Sequence, residues 1–509
     1  VDVGGTNTDA VVMTGATIVA SAKKATSADI TTGLLGALQD VQRSAGISPA
    51  DVGLVVIGTT HFTNAVVERR RLSPTAALRL CLPAAQVLPP TVDWPADLRT
   101  VVSGPTYLAE GGVEFNGAPI SSFDAASIER IGSDIRRQGI TAIAITGVFS
   151  PVRSQFEEQA GAILAACCPD ATITLSSQIG QLGFLDRESA AILNSSLQHL
   201  ARETVQALLQ GVRDCHLQCP VYLSQNDGTL LDLGRAEAFP VLTCASGPTN
   251  SLRGAAFLSG HTEAIVVDVG GTTTDVGLLH QGFPRHSATT VDIGGVRTNF
   301  RMPDVSSVGL GGGSIVRSSD SGVRIGPASV GFRLVERARV FGGDTLTATD
   351  IAVAAGRATL GDPTLVRDIT PAFQERCLLE MERILEAAVE RCRTSPAPLP
   401  IIAVGGGSIL VPPVVAGLPV TRPPHFSCAN AVGAAIAQVS GEVDRVYSLE
   451  NVPRNEALAA AEREARQKAI TAGARPESIV VMEREDVPLA YLQGNATRIR
   501  VKVVGDMRL

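Results

Sequence analysis

The chain has 509 residues, of which 45% are hydrophobic and only 4% aromatic, and its formal net charge at pH 7 is −7. That length allows two or three domains with a large buried core. The acidic balance and the lack of a long basic run argue against a nucleic-acid partner, and no stretch of about 18 apolar residues predicts a membrane span.

A glycine-threonine motif opens the chain inside a predicted hairpin. Asp2 lies in a short apolar strand, residues 4–8 form a polar tip that reads Gly4-Gly5-Thr6-Asn7-Thr8, and Asp9 leads into a second apolar strand. Glycines let the backbone approach a ligand, tip N–H groups can hold anionic oxygens, and two Asp side chains can hold a hydrated Mg²⁺. The chain begins within the first strand and without Met, so we expect leading residues to be missing.

Helices and short buried strands alternate through the first part of the chain, which is typical of α/β proteins. The elements predicted there are helix 30–42, strand 54–57, helix 125–138, strands 142–145 and 172–175, helix 186–215 and strand 221–223. Further on, the pattern predicts a strand at 401–404, a small-residue helix at 429–439, a helix from Asn455 to Gly473 and a half-exposed strand at 497–503.

A polar loop follows the strand at 54–57. It reads Gly58-Thr59-Thr60-His61-Phe62-Thr63-Asn64. A loop at a strand end that carries hydroxyls, an amide and an imidazole is a natural ligand surface in an α/β protein. The alternative is that its threonines cap the next helix and that His61 is an ordinary surface residue.

Two other segments have a structural and a functional interpretation. The loop at 244–248, with Ser251 and Gly254 after it, is either a second ligand loop or a place where a helix packs closely on a strand. The segment Asp186-Arg187-Glu188-Ser189 is either a helix start with a salt bridge or part of an active cleft.

The nine cysteines are odd in number and scattered, as expected of reduced thiols in the cytoplasm. Cys215-His216 with Cys219 is a possible metal fragment, but no second ligand pair follows at zinc spacing. We therefore expect no disulfide framework.

The opening motif returns in the middle of the chain. Asp268 lies in an apolar strand, the tip reads Gly270-Gly271-Thr272-Thr273-Thr274, and Asp275 leads into another apolar strand. Two copies in step predict two similar half-domains that close on one nucleotide phosphate chain.

A late glycine turn completes the set of candidate nucleotide segments. The strand at 401–404 runs into Gly405-Gly406-Gly407-Ser408, where adenine or ribose could approach the backbone; the alternative is a simple strand-to-helix turn. A Walker P-loop is absent. The glycine run at 308–314 follows no βαβ unit, which disfavours a Rossmann site.

Taken together, the paired hairpins and the late glycine turn resemble the actin/sugar-kinase/Hsp70 ATPase superfamily. Within it, the sequence from Gly58 through Asn64 to Arg69 resembles the GTT-x-x-TNA loop of the hydantoinase/5-oxoprolinase family. Segments 268–275, 308–314 and 326–329, and Pro488-Leu489-Ala490-Tyr491 with Gly494-Asn495, match that family in order. The resemblance covers nearly the whole chain and is to the A-type (α) subunit.

Two departures fall where the family's metal or substrate chemistry is expected. The family usually has a His two residues after the Asp that precedes the glycine-rich turn, and here that position is Ser306. Its segment after Gly326-Pro327 usually runs into Pro-Gly-Pro-x-Cys-Tyr-Gly, whereas this chain reads Phe332-Arg333-Leu334-Val335-Glu336. These changes bear on the substrate more than on the fold.

For the fold, the resemblance implies two ribonuclease-H-like α/β lobes around a nucleotide cleft, with both tips pointing into it. A glycine-rich insertion at 290–345 and a small C-terminal α+β segment complete the prediction. The predicted domains are an N-terminal lobe at 1–178, an ATPase lobe at 179–445 and a helix-and-strand segment at 446–509.

For the chemistry, the resemblance implies ATP- and Mg²⁺-dependent activation of a cyclic amide of the hydantoin or 5-oxoproline type. The γ-phosphoryl group would move to the carbonyl oxygen before water opens the ring. Phosphoryl transfer needs positioning and charge neutralisation more than covalent chemistry, and two N–H-rich hairpins with Mg²⁺ can supply both. The chain has no G-x-S-x-G or H-E-x-x-H motif, so a B-type subunit is expected to complete hydrolysis in an oligomer of A and B chains.

The candidate residues fall into three groups. Catalytic candidates, for ligation of metal-bound water or for water orientation, are Asp2, Asp9, Asp268 and Asp275, with Asp2 and Asp268 also the metal candidates. Cofactor candidates are Gly4, Gly5, Thr6, Asn7, Thr8, Gly270, Gly271, Thr272, Thr273 and Thr274 at the phosphates, and Gly405, Gly406, Gly407 and Ser408 at the adenosine end. Substrate candidates are Thr59, Thr60, His61, Asn64, Asn226 and Asp227.

Three other functions stay open at this stage. A small-molecule kinase of the same superfamily would release a stable phosphorylated product and need no partner. An α subunit of an acetone-type carboxylase would activate a ketone. An ATP-gated interaction protein is disfavoured, because no separate peptide-binding domain follows the ATPase core.

Overall fold

The computed structural model describes residues 1–25, 30–287, 291–319, 322–395, 397–450, 452–490 and 495–508. The first lobe starts with a three-stranded antiparallel meander, because the short polar tip at 4–6 and the turn at 15–16 reverse the chain twice. A helix then packs leucine, alanine and valine side chains on this sheet at helical spacing. The elements are β1 (Asp2–Val3), β2 (Asn7–Thr14), β3 (Thr17–Ala25), α1 (Ile30–Ala45), β4 (Val55–Thr59) and α2 (His61–Glu68).

A separate four-stranded parallel sheet interrupts this lobe. Its central strands are buried over nearly their whole length, as expected when both faces of a parallel sheet are covered. Its strand order is β6-β5-β7-β8. The elements are β5 (Thr75–Leu82), α3 (Ala96–Val102), β6 (Ser103–Glu110), α4 (Ala125–Arg137), β7 (Ala142–Gly147), α5 (Gln155–Cys167) and β8 (Thr172–Leu175).

A 31-residue helix returns the chain from this inserted domain to the first lobe. The elements that follow complete the lobe: α6 (Phe184–Asp214), β9 (Val221–Ser224), β10 (Leu230–Asp232), α7 (Leu233–Ala238) and α8 (Ser246–Ser259). The first-lobe sheet has the order β10-β9-β4-β1-β2-β3. The domain boundary predicted at residue 178 therefore separates strands that pair in one sheet, since the inserted domain splits that sheet in sequence.

The second lobe builds a comparable sheet with longer connections. Its elements are β11 (Ala264–Val269), β12 (Thr274–His280), β13 (Phe283–Pro284), β14 (Val291–Ile293), β15 (Val296–Thr298), β16 (Val305–Val308), β17 (Ser314–Ser319), β18 (Gly322–Ser329), α9 (Leu334–Arg337), α10 (Ala348–Ala354), α11 (Pro371–Cys392), β19 (Ile401–Val404), β20 (Val414–Val415), β21 (Leu418–Thr421) and α12 (Ala429–Ala435). The sheet order is β13-β12-β11-β19-β21-β20, and β16 also pairs with β12.

The two sheets share one topology. In the first, β2 joins β1 antiparallel, and β4 and β9 follow on the other side in parallel. In the second, β12 joins β11 antiparallel, and β19 and β21 follow in parallel. An antiparallel hairpin continued by two parallel strands is the ribonuclease-H arrangement, so the predicted fold of two such α/β lobes is confirmed.

The C-terminal unit is a three-stranded antiparallel sheet covered by one helix. Its elements are β22 (Val439–Ser448), α13 (Arg454–Thr471), β23 (Val480–Pro488) and β24 (Ala496–Gly505), in the order β22-β24-β23. The helix packs four alanines, spaced four residues apart, on the sheet. The boundary predicted at 446 falls inside β22. Tyr491 and Gly494 of the family-like segment lie outside the described residues.

Two whole-chain properties bear on function. Among the residues that the structure describes, no helix is long and apolar enough to cross a membrane. All nine cysteines lie within the described ranges, and each has a free thiol.

Candidate active site

The four acids of the repeated motif form two cross-strand pairs. Asp2 lies directly opposite Asp9 in the first hairpin, and Asp268 lies directly opposite Asp275 in the second. Directly opposite residues have their side chains on the same face of a sheet. Each hairpin therefore presents two carboxylates beside its polar tip.

The two tips meet. A Cβ atom built on Gly271 would lie 2.8 Å from Cγ2 of Thr6, so the second tip rests against the first. Each tip is closed by one hydrogen bond, from the Gly4 N–H to the Asn7 carbonyl (3.0 Å) and from the Gly270 N–H to the Thr273 carbonyl (2.9 Å). The two tips, predicted to point into one cleft, therefore lie next to each other.

Several N–H groups of the tips point to no protein acceptor. Within the described ranges, the backbone N–H groups of Gly5, Thr6, Gly271, Thr272 and Thr273 donate no hydrogen bond to another residue. Successive free N–H groups in a turn form an anion-binding concavity. The facing tips thus offer donors to an anionic chain from both lobes.

A glycine stands beside one acid of each hairpin, in equivalent positions. Gly58 ends the strand parallel to β1, and a Cβ atom there would overlap Oδ1 of Asp2. Gly405 follows β19, the strand parallel to β11, and a Cβ atom there would overlap Oδ1 of Asp268. The polar loop and the late glycine turn are therefore counterparts in the two lobes, and each makes room for a carboxylate.

The late glycine turn packs directly on the second hairpin. The Gly407 N–H donates to the Val269 carbonyl (2.8 Å), and Gly406 is exposed with open space around it. The Ser408 hydroxyl is buried and has no hydrogen-bond partner within the described residues. The turn is thus adjacent to the second tip, while its role at adenosine stays a prediction.

The glycine run at 308–314 packs against the carbonyl groups of the second tip. Gly312 and Gly313 donate N–H groups to the carbonyls of Gly270 (3.0 Å) and Gly271 (2.7 Å). A Cβ atom on Gly311 would lie 2.6 Å from the backbone nitrogen of Thr272, so only glycine allows this approach. This run fixes the tip carbonyls and leaves the tip N–H groups facing away.

Near this run, the departure at Ser306 falls on β16, opposite Val276. The next residue, Ser307, donates its hydroxyl hydrogen bond to the Asp275 carboxylate. The carboxylate of Asp304 forms an ion pair with Arg285, so an arginine balances its charge.

Two helices between the lobes contribute side chains to the site, of which the sequence singled out only Ser251. On α8, Asn250 donates to Oδ1 of Asp2 (3.3 Å), and Ser251 lies close enough to Asp268 to lower the pKa of its carboxyl group. On α12, Asn430 donates to Oδ2 of Asp2 (3.0 Å) and to Oδ2 of Asp9 (3.1 Å). The segment predicted as a loop at 244–248 is thus largely the start of α8, which leads into the site, whereas Asn430 had no local sequence signal.

The environment of the acids disfavours their negative charges. Burial raises the pKa of Asp268 to about 7, against the hydrogen bond from Ser251 and with help from the neighbouring carboxylates of Asp275, Asp2 and Asp9. Burial also raises the pKa of Asp2, with Asp9 adding to the effect, and the pKa of Asp275. A cation would relieve this repulsion, so the donor set fits Mg²⁺.

Over the described part of the chain, no three His, Cys, Asp or Glu side chains are grouped closely enough to hold a metal ion. Mg²⁺ usually keeps several waters and binds through one or two carboxylates and substrate phosphates. Asp2 and Asp268 therefore stay candidates for a hydrated Mg²⁺.

The substrate candidates at 59–64 lie beside the start of α8. The Ser246 hydroxyl donates to the Thr59 carbonyl (3.3 Å), and Thr60 contacts Gly247. The amide of Asn64 donates to the Thr60 hydroxyl (3.4 Å). Burial and the positive charge of Arg71 lower the pKa of His61, which favours its neutral form at pH 7.

Asn226 and Asp227 are engaged elsewhere. Both oxygens of Asp227 are used, one by Thr229 and one by Lys502 at 2.6 Å, and the amide of Asn226 donates to the Arg301 carbonyl (2.7 Å). Both residues line a cavity of about 710 Å³ between the first lobe and the C-terminal unit, which the tip residues do not line. Their role at the substrate stays a prediction, and these contacts weigh against it.

The segment 186–189 is part of the packing between α6 and the inserted domain. Arg79 forms a bidentate pair with Glu188 (2.8 and 2.5 Å), and both side chains are buried. Arg187 donates to the Gly147 carbonyl (2.6 Å). These contacts support the interpretation of the segment as a helix start with a salt bridge.

Two protein-family models match this chain, one at its N-terminal end and one in its middle. The model of the hydantoinase/oxoprolinase N-terminal region matches residues 1–168, and the hydantoinase/oxoprolinase model matches residues 187–362, together more than half of the chain. Caprolactamase subunit alpha of Pseudomonas jessenii is 26% identical over 387 residues, which is 70% of this chain and 54% of that protein. Acetophenone carboxylase gamma subunit of Aromatoleum aromaticum is 29% identical over 185 residues, 35% of this chain and 25% of that protein.

Two solved structures have the same fold over the full chain. The ATP-dependent caprolactamase from Pseudomonas jessenii gives a TM-score of 0.77 at 19% identity, covering 100% of this chain and 87% of that one. Nucleotide-free acetone carboxylase gives 0.72 at 17% identity with the same coverages. In sequence, this chain spans about half or less of the curated relatives that it matches.

Proposed function

Because this chain belongs to the hydantoinase/oxoprolinase family, we propose that it is the ATP-dependent subunit of an enzyme that opens a cyclic amide. The observation that carries the proposal is the pair of facing tips with free N–H groups, flanked by four carboxylates. Such a site suits the phosphate chain of ATP.

In the proposed reaction, the tip N–H groups hold the β- and γ-phosphates while the two lobes exclude water. The γ-phosphorus bonds to the amide oxygen as its bond to the bridging oxygen breaks, and ADP leaves. Water then adds to the activated carbon and the ring nitrogen leaves with a proton, giving an acyl phosphate. A second water releases inorganic phosphate and the amino acid.

The carboxylates position charge in this scheme. Asp268, with its pKa raised to about 7, can hold or release a proton near neutral pH, which suits the orientation of water or of an attacking oxygen. Bound Mg²⁺ would supply neutralisation of the phosphate charge, and Asp2 and Asp268 would face its waters. Thr59, Thr60, His61 and Asn64 form the proposed substrate side, next to the start of α8.

The caprolactamase relative supports a cyclic amide as the substrate, and its designation as a subunit supports the need for a partner chain. The caprolactamase acts, by its name, on a lactam, is ATP-dependent, and its matching chain is called a subunit. We propose that this chain likewise needs a B-type subunit, because a labile phosphorylated amide must be consumed close to where it forms. The cytoplasm, with its ATP, is the proposed location.

A second candidate is a carboxylase subunit that activates a ketone. The fold similarity to acetone carboxylase and the partial match to acetophenone carboxylase favour it. The phosphoryl-transfer site would be the same: the γ-phosphorus would bond to the ketone oxygen as an α-proton and ADP leave, giving an enol phosphate.

The test is ATP hydrolysis by this chain across a panel of cyclic amides and ketones, with and without a cognate B chain. We expect stimulation by a cyclic amide and stoichiometric phosphate release and ring opening only with the B chain. Stimulation by ketones and bicarbonate would favour the carboxylase. Complete ring opening by the homogeneous chain alone would contradict the need for a partner.

A further inference from the structure

One side chain on α12 joins both acids of the first hairpin. The two hydrogens of the Asn430 amide are used on Oδ2 of Asp2 (3.0 Å) and Oδ2 of Asp9 (3.1 Å). Its Oδ1 accepts from the N–H of Ala431 (2.9 Å), so the orientation of the amide is fixed. The carboxamide thus acts as a bridge between two carboxylates that face each other across strands.

The helix that carries this bridge is in backbone contact with α8. A Cβ atom on Gly433 would overlap the Asn250 carbonyl oxygen, and one on Gly254 would overlap the Ala429 carbonyl oxygen. Two helices that touch backbone to backbone at two points leave little room for one to shift against the other. The position of Asn430 is therefore coupled to that of Asn250 through direct packing.

The same helix pair reaches the acids of both lobes. Adjacent residues on α8 face the two lobes, because Asn250 donates to Asp2 and Ser251 lies beside Asp268. Asn430 adds Asp9 to this set. Two of the four carboxylates are thus hydrogen-bonded to this pair of helices, and a third, from the other sheet, lies next to it.

We propose that Asn430 is a positioning residue for phosphoryl transfer. By holding Asp2 and Asp9 against the α8–α12 pair, it sets the first hairpin in register with the second, so that both face one phosphate chain. The inference rests on the proposed use of ATP and adds Asn430 to the residues proposed for phosphoryl transfer. Groups that orient charged ligands from behind typically alter affinity or activity by about 10–100-fold when they are removed.

The experiment compares Asn430→Ala, which removes both donors, with Asn430→Ser, which keeps one. Asn455→Ala is the matched control, because Asn455 is an exposed amide at the start of α13. For each variant and the parent chain, we measure the melting temperature, the Kd of Mg·ATP by calorimetry, and kcat and KM for ATP in the presence of the B chain.

We expect Asn430→Ala to lower kcat by roughly 10–100-fold with a smaller change in the Kd of Mg·ATP, Asn430→Ser to lie between, and the control to match the parent. A purely structural role would lower only the melting temperature, and an unchanged kcat in Asn430→Ala would overturn the inference. If the parent chain binds no Mg·ATP, the proposed function itself fails. The two failures are therefore distinguishable.

Discussion

The two hairpins share a sequence pattern and a strand pairing, but their acids lie in different environments. Asp2 and Asp9 are 3% and 4% exposed and are held by Asn250, Asn430 and an ion pair with Lys23. Asp268 and Asp275 are only partly buried, and hydroxyl groups are their partners. The two copies of the motif therefore share the same strand pairing, but their acids contact different side chains.

This difference suggests a division of labour. A buried carboxylate surrounded by amide and ammonium donors is fixed in position. A partly exposed carboxylate with a single hydroxyl neighbour can contact a ligand, and Asp268, whose pKa is raised to about 7, can also exchange protons near neutral pH. The first hairpin would therefore hold the phosphates in place, and the second would take part in the chemistry.

Asp268→Asn gives the largest expected effect, because it removes the charge that positions the reacting groups. ATP turnover should fall by about 100- to 1,000-fold, since preorganised electrostatic groups are worth that much. The fold should be kept, because amide and carboxylate have the same shape. Steady-state kinetics with circular dichroism measures both, and unchanged turnover would refute the division of labour.

Asp227 serves for comparison with the hairpin acids, because it is a buried acid whose partner is a lysine. Lys502→Met should lower the free energy of unfolding by about 3–5 kcal/mol at pH 7, because it leaves a buried carboxylate without its counter-charge. Burial alone would raise the pKa of Asp227, but Lys502 lowers it to about 2. The parent's stabilisation is therefore present above about pH 4 and is lost as the pH falls towards 2.

Urea unfolding at several pH values checks this prediction. The deficit of Lys502→Met should shrink as the pH falls below about 4. The double variant Asp227→Asn/Lys502→Met is the control and should recover much of the loss. A deficit that does not depend on pH would count against the ion pair as its cause.

Glycine-to-alanine substitutions test the equivalence of the two lobes. Gly58→Ala and Gly405→Ala should each cost about 1–3 kcal/mol of stability, because the new methyl group overlaps an Asp carboxylate. Gly405 also has a φ of 84°, which alanine adopts with strain. Thermal unfolding measures the cost, with Gly406→Ala, which has open space, as the matched control. Equal stability of all three variants would contradict the close approach.

Ser307→Ala should have the smallest effect. It removes one hydroxyl hydrogen bond from Asp275 and should change stability or turnover by about 0.5–1.5 kcal/mol. Combining it with Asp268→Asn in a double-mutant cycle measures how strongly the Ser307–Asp275 hydrogen bond is coupled to Asp268. Strict additivity would mean that they act independently.

Much of this fold could be predicted from local sequence. The hairpins were identifiable because glycines, hydroxyls and flanking acids recur in order, and their strands carry apolar runs. The inserted domain was not separated from the first lobe, because the apolar runs of β5 and β7 look like that of β4. Which strands pair depends on long-range contacts, and the periodicity of a single strand does not encode them.

The site was predicted where its residues are close in sequence and missed where they are not. The tips and their four acids lie within two short segments. Asn250 and Asn430 reach Asp2 only because Gly254 and Gly433 let two helices touch, which no local pattern reveals. Asp227 stays a predicted substrate residue, but its ion pair with the buried Lys502, which no local pattern reveals, weighs against that role.

The most direct test of the central claim is a structure of this chain with Mg²⁺ and a non-hydrolysable ATP analogue. We predict that the phosphates lie against both tips at once, within hydrogen-bond distance of N–H groups at Gly5 and Thr6 in the first tip and Gly271 and Thr272 in the second. Binding of the analogue to one tip only, or in the cavity beside Asp227, would contradict the account.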